Sequence, residues 1–170
     1  MSPSILIAGV GNIFLGDDAF GVETARALFQ RKLPEGVSVV DYGIRGFDLA
    51  YALLDRWDAV ILVDALPRGG VAGTLYILEP DLSSMRNPGP EEMTMNPHGM
   101  DPVRVLQLAF SIGDVKAKVY LVGCEPLDFG DALEGRMGLS ETVQASIGEA
   151  VAMVEDLVGR IHAAAEACPA

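Results

Sequence analysis

Histidine, cysteine and basic side chains are scarce in this chain. Of 170 residues, 2 are His and 2 are Cys, and 12 Lys plus Arg stand against 24 Asp plus Glu, a net charge of −12. Each shortage excludes something. A sequence pI near 4.4 does not suit a nucleic-acid binder, which meets phosphates with clustered Lys and Arg. The same charge opposes docking on an anionic membrane. Two histidines exclude a metal site built mainly from His, so carboxylates must dominate any metal chemistry. Cys124 and Cys168 lie far apart and fit neither a zinc spacing nor a disulfide framework. The longest clean apolar run, about five residues around Ala59 to Val63, is far short of a membrane span. Met1 to Ile7 lacks the basic and long apolar regions of a signal peptide. The expectation is a cytoplasmic protein.

What is present is an alternation of strand and helix patterns. Half of the residues are apolar, enough for one globular domain spanning 1–170. Strands are expected at Ser4 to Ala8, Val37 to Val40, Ala59 to Val63, Gly73 to Leu78 and Val119 to Val122. Helical spacing marks Ala19 to Arg31, Phe47 to Leu54, and a helix carrying Val103, Leu106 and Phe110. The last helix starts at Ser140 and carries a stripe from Val143 to Ile161. Such alternation implies an α/β fold whose sheet is parallel or mostly so, with helices on both faces. The stretch from Pro80 to Pro102 is rich in proline and acids and reads as a long functional loop.

Ligands in such sheets bind beyond the carboxyl ends of the strands. The first strand is followed by Gly9-Val-Gly-Asn-Ile-Phe-Leu-Gly-Asp-Asp18. It opens like a dinucleotide fingerprint, but Phe14 stands where the third glycine belongs. Gly11 to Gly16 has Walker-type spacing, yet Asp17 replaces the phosphate-binding Lys. The ordinary explanation for Asp17 and Asp18 is N-capping. Asp64, after a wholly apolar strand, sits at the rim of a desolvated region and needs a partner or a ligand. His98 lies in the proline-rich loop, whereas His162, near the end of the last helix, reads as surface filler. Two strand-end carboxylates plus one loop histidine suit nickel, manganese or zinc with open positions. Two close carboxylates could equally share a proton and activate water for peptide hydrolysis.

The ordered motifs carry a resemblance. Ile7-Ala-Gly-Val-Gly-Asn-Ile-Phe-Leu-Gly-Asp-Asp-Ala-Phe-Gly-Val22 resembles the N-terminal signature of the hydrogenase maturation endopeptidases. These enzymes trim the C-terminal extension of the large subunit of nickel–iron hydrogenases. The resemblance continues through Asp41-Tyr-Gly-Ile-Arg-Gly46, Val63-Asp-Ala65, Asn96-Pro-His98, Leu121-Val-Gly123 and Gly138-Leu-Ser140. It implies a three-layer α/β/α fold with a mostly parallel twisted sheet. It implies a metal-contacting and catalytic set of Asp18, Asp64 and His98. It further implies substrate recognition by the loop holding Asp41, Gly43, Ile44 and Gly46. The first acid is often Glu in the family, one methylene longer than Asp18, and Ile44 stands where Thr is common. The implied partner is the large-subunit precursor, and the implied nickel arrives with that substrate rather than as a stored cofactor. The competing reading is a non-catalytic nickel-handling or large-subunit-binding maturation partner. No dimer helix stands out, so the free protein is expected to be a monomer. Asp17, Asp18, Asp41 and Asp64 are expected to gather at one end of the sheet.

Overall fold

A computed structural model describes residues 2–86, 101–131 and 133–167. Its centre is a five-stranded sheet in the order β2-β1-β3-β5-β4. The strands are β1 (Ile5–Val10), β2 (Val37–Gly43), β3 (Ala59–Ala65), β4 (Leu75–Leu78) and β5 (Lys118–Cys124). All neighbours pair in parallel except β4, which runs antiparallel along the edge of β5. Every residue of β1 and of β3 is buried, as near-continuous apolar runs in the middle of a parallel sheet require.

Alternate residues along these strands feed two cores. Ile5, Ile7, Ile61, Val63 and Val122 pack beneath α1 (Phe20–Phe29) and α5 (Glu141–Ala167). Leu6, Ala8, Val60, Leu62 and Leu121 pack beneath α2 (Gly46–Ala52) and α4 (Pro102–Ile112). The result is the expected three-layer α/β/α domain. A further short helix, α3 (Leu82–Met85), lies inside the proline-rich stretch. The rest of that stretch, residues 87–100 with His98, lies outside the described residues, as does Cys168.

Several local expectations are corrected. The strands outrun their apolar cores, because backbone pairing continues past the last hydrophobe: Asp64 pairs with Gly123 and Ala65 with Cys124. Asp41 likewise lies within β2 rather than after it. Asp17 and Asp18 do not cap α1: they sit in a 3-10 turn (Gly16–Ala19), and the cap residue, Ala19, has no side-chain acceptor. His162 is not surface filler. It is half-buried on α5, and its Nε2 is shut off from solvent without a hydrogen-bond partner among the described residues.

Gly11 of the first loop and Gly21 of α1 are both required by close backbone packing. A Cβ on Gly21 would lie 2.0 Å from the Val63 carbonyl oxygen and 2.2 Å from that of Val10. The start of α1 therefore rests directly on the backbones of β1 and β3. A Cβ on Gly11 would lie 1.8 Å from the Asp18 carbonyl oxygen, and the residue also has φ +136°. Only glycine permits that close approach in that conformation.

Candidate active site

Asp18, from the 3-10 turn after β1, lies near enough to Asp64 at the end of β3 for its charge to act on it. Asp18 reaches its place through the tight Gly11 contact and the 3-10 turn. Its Oδ2 accepts the Asn12 N–H at 2.7 Å, closing the loop on itself. Asp64 is set by the sheet, one residue from the end of β3. It is 4% exposed, and its Oδ1 accepts the adjacent Ala65 N–H at 2.8 Å.

This environment disfavours negative charge. Burial pushes the Asp64 carboxyl well above the usual carboxylate range, and the charge of Asp18 pushes it further. The Ala65 N–H offsets part of this, and Asp101 adds a further upward push. Burial also raises Asp18, against the opposing hydrogen bond from Asn12. An acid whose protonated form is favoured by burial, and further by a neighbouring acid, is suited to transfer a proton or to bind a cation that displaces it.

Asp101 was not singled out in the sequence. It begins α4, where its side chain accepts the Val103 N–H at 2.9 Å and Pro102 takes the first helical position. The Asp-Pro pair opening an apolar-periodic run is the sequence signal for such a cap. The connection to Asp64 is visible only in three dimensions. Because α4 leads into β5, its N-terminus lies at the carboxyl edge of the sheet.

Asp17 leaves the expected acidic cluster. It is fully buried and accepts hydrogen bonds from the Leu127 and Asp128 N–H groups and from the Ser140 N–H and hydroxyl. Desolvation opposes its charge, but these donors win and hold the carboxyl below its ordinary value. Adjacent residues in one motif thus have opposite environments: hydrogen-bond donors hold the Asp17 carboxyl down, and burial pushes that of Asp18 up. Glu125, just past β5, is a second structural acid. It accepts the Arg68 and Gly69 N–H groups and the Tyr76 hydroxyl, and these outweigh its desolvation to lower its carboxyl.

Three of the four expected recognition residues, Asp41, Gly43 and Ile44, line a groove that reaches the loop before Asp18. Asp41, Gly43 and Ile44 form its wall with Gly11, Asn12, Phe14, Arg26 and Arg45, around a space of about 320 Å³. Gly43 has φ +54° at the point where the β1–β2 register shifts, and its carbonyl accepts the Gly11 N–H at 3.0 Å. Ile44 is exposed and Arg45 stacks on Tyr42. Gly46 is not part of the lining; it begins α2. Asn12 joins the two regions, because it borders the groove and donates its N–H to Asp18.

The fold is an α/β domain with the carboxylates of Asp18 and Asp64 near the carboxyl ends of its strands. A family model described as hydrogenase maturation protease matches residues 22–157. The chain is 35% identical over 152 residues to the hydrogenase 2 maturation protease of Escherichia coli (strain K12), covering 88% of this chain and 87% of that protein. Its fold matches the hydrogenase maturating endopeptidase HybD from E. coli with a TM-score of 0.69 at 32% identity, over 92% of this chain and 93% of that one. The [NiFe] hydrogenase maturation protease HycI from Thermococcus kodakarensis shares the fold, with a TM-score of 0.70 at 24% identity over 93% of this chain and 94% of that one. The chain belongs to the hydrogenase maturation proteases, and it is an endopeptidase. Among the described residues no helix is long and apolar enough to cross a membrane.

Proposed function

We propose that this endopeptidase removes the C-terminal extension from the nickel-loaded precursor of a nickel–iron hydrogenase large subunit. The observation that carries the reading is the carboxyl of Asp64, buried at the end of a central strand within reach of the charge of Asp18. Asp18, Asp64 and His98 are the residues that meet the substrate's nickel and support cleavage, and the groove at Asp41, Gly43 and Ile44, with Gly46 behind it, receives the precursor. Carboxylates and one imidazole are borderline ligands for nickel, so they contact it without withdrawing it from the substrate's thiolates.

The chemistry follows from the charge of the site. At rest, burial and Asp18 favour the protonated form of Asp64. An approaching nickel ion reverses that balance, and Asp64 releases its proton as the carboxylate meets the metal. Nickel near the scissile bond polarises its carbonyl, and a carboxylate oxygen of the pair accepts a proton from the attacking water. The same carboxyl returns that proton to the amine nitrogen as the C–N bond breaks, which completes hydrolysis. No stored metal is required, since the ion arrives with the substrate. A buried free thiol at Cys124 agrees with a cytoplasmic setting.

Intact-mass measurement of the precursor after incubation with the pure protein tests this reading. Loss of the extension is expected with the native protein and not with Asp18→Asn, Asp64→Asn or His98→Gln. Full processing by Asp64→Asn would contradict the assigned site. An unchanged precursor with the native protein would favour a partner that binds the large subunit without cutting it.

A further inference from the structure

The loop after β1 leaves a side-chain donor unengaged where the groove meets Asp18. Asn12 is held at three points. Its N–H donates to Asp18 Oδ2 at 2.7 Å, its carbonyl accepts the Leu15 N–H at 3.1 Å, and its Oδ1 accepts the Phe14 N–H at 3.0 Å. With Oδ1 fixed, the planar carboxamide has one orientation, and its Nδ2 points away from that contact. The Nδ2 makes no hydrogen bond among the described residues, and Asn12 lines the groove. The arginines of the same groove are already engaged, Arg26 with Glu23 and Asp41 and Arg45 with the carbonyls of Asp41 and Tyr42. The turn alone does not call for an amide, because serine or aspartate would also accept the Phe14 N–H. What asparagine adds is a pair of N–H donors without charge.

We propose that Asn12 Nδ2 donates a hydrogen bond to the carbonyl oxygen of the scissile peptide bond, which makes Asn12 a catalytic residue of the cleavage. This inference rests on the proposed processing of the precursor. When the water oxygen bonds to the carbonyl carbon, the second electron pair of the C=O bond moves onto the carbonyl oxygen. Negative charge then develops in a site whose own side chains, Asp18 and Asp64, are acids. A cationic donor would be drawn to those carboxylates, whereas a neutral amide stays available to the oxygen. The pair returns to the C–O bond as the C–N bond breaks, and the nitrogen takes the proton that a carboxylate accepted from water. The amide keeps its own protons throughout. Position agrees, because the backbone N–H of Asn12 sits on Asp18, one of the two acids proposed to take that proton. A donor fixed before the substrate arrives needs no reorganisation as the charge develops.

The test compares Asn12→Ser and Asn12→Asp with the native protein. Both keep an oxygen for the Phe14 N–H and the backbone N–H for Asp18, and both lose the amide donor. The readouts are kcat and KM for processing of the nickel-loaded precursor, followed by intact mass, together with the melting temperature. Asn12→Ser should melt as the native protein does, with kcat about a hundredfold lower and KM within about twofold, as for the loss of one such donor. Its kcat should keep the native pH profile, since the amide does not titrate. Asn12→Asp should fall further, because its carboxylate repels the developing oxyanion. Native kcat in either variant would overturn the assignment. A kcat loss in Asn12→Ser matched by a lowered melting temperature would make Asn12 a turn residue and overturn it. A raised KM with native kcat would assign the amide to substrate binding, and a shifted pH profile would assign its effect to Asp18; each would overturn it as well. All of these leave the proposed substrate intact. A native protein that does not cut the precursor would remove the substrate reading, and this role with it.

Discussion

The Asp17 carboxylate accepts hydrogen bonds from both the N–H and the hydroxyl of Ser140, at 2.6 and 2.9 Å, across a sequence separation of 123 residues. The Ser140 hydroxyl also receives the Val143 N–H at 3.4 Å, so this serine opens α5. A buried anion is thereby placed at the start of the longest helix, where the free N–H groups and the helix dipole favour it. The adjacent residue, Asp18, faces the site with none of these donors.

Asp17→Ala should therefore destabilise the protein by about 3 kcal/mol or more, because buried N–H donors lose their acceptor. The pH dependence has a definite sign. The Asp17 carboxyl lies below its ordinary value in the folded state, so its contribution is present above the unfolded value and is lost as pH falls through the folded one. Urea unfolding at pH 7 and at about pH 3 should show a difference between native and Asp17→Ala that shrinks in acid.

Asp64→Asn should do the opposite to stability while ending activity. Burial and Asp18 raise the Asp64 carboxyl, so its ionisation disfavours the folded state as pH rises above the unfolded value. Replacing it with a neutral isostere removes that penalty. A gain of about 1 kcal/mol raises the melting temperature by roughly 2–4 °C in a chain of this size. Calorimetry at pH 7 should show the variant melting above the native protein, and at about pH 4 the advantage should fade.

Asp101→Ser separates a cap from a charge. Serine keeps an oxygen for the Val103 N–H, so α4 should remain capped. The upward push of Asp101 on Asp64 disappears. The Asp64 carboxyl should titrate lower when followed by carbon-13 NMR, though still above the ordinary range, since burial is the larger cause. An unchanged Asp64 titration would remove Asp101 from the site.

Gly21→Ala should cost about 3 kcal/mol or more and greatly reduce the soluble folded yield. The added carbon would meet backbone oxygens of Val63 and Val10, which cannot rotate away as side chains do. Gly148→Ala, an exposed change on α5 with open space around it, should be neutral or stabilising.

Much of the architecture was legible because burial leaves a periodic trace. Apolar runs at Ile5, Ala59 and Val119 announced buried parallel strands, and the stripe from Val143 to Ile161 announced α5. The burial of Asp64 was legible for the same reason, since an acid closing such a strand must be desolvated. Asp17 was not legible. Its partners Leu127, Asp128 and Ser140 are more than a hundred residues away, and the capping explanation was locally sufficient. His162 misled because a polar residue near a helix end looks exposed, whereas its ring is half-buried. Asp101 escaped because its local job, capping α4, hides the long-range one.

The most direct test of the central claim is the intact mass of the large-subunit precursor, with and without bound nickel, after incubation with this protein. The expected result is loss of the C-terminal extension from the nickel-loaded form alone. Equal cleavage of the nickel-free form would contradict nickel sensing by Asp18, Asp64 and His98, and no cleavage of the loaded form would contradict the proposed substrate.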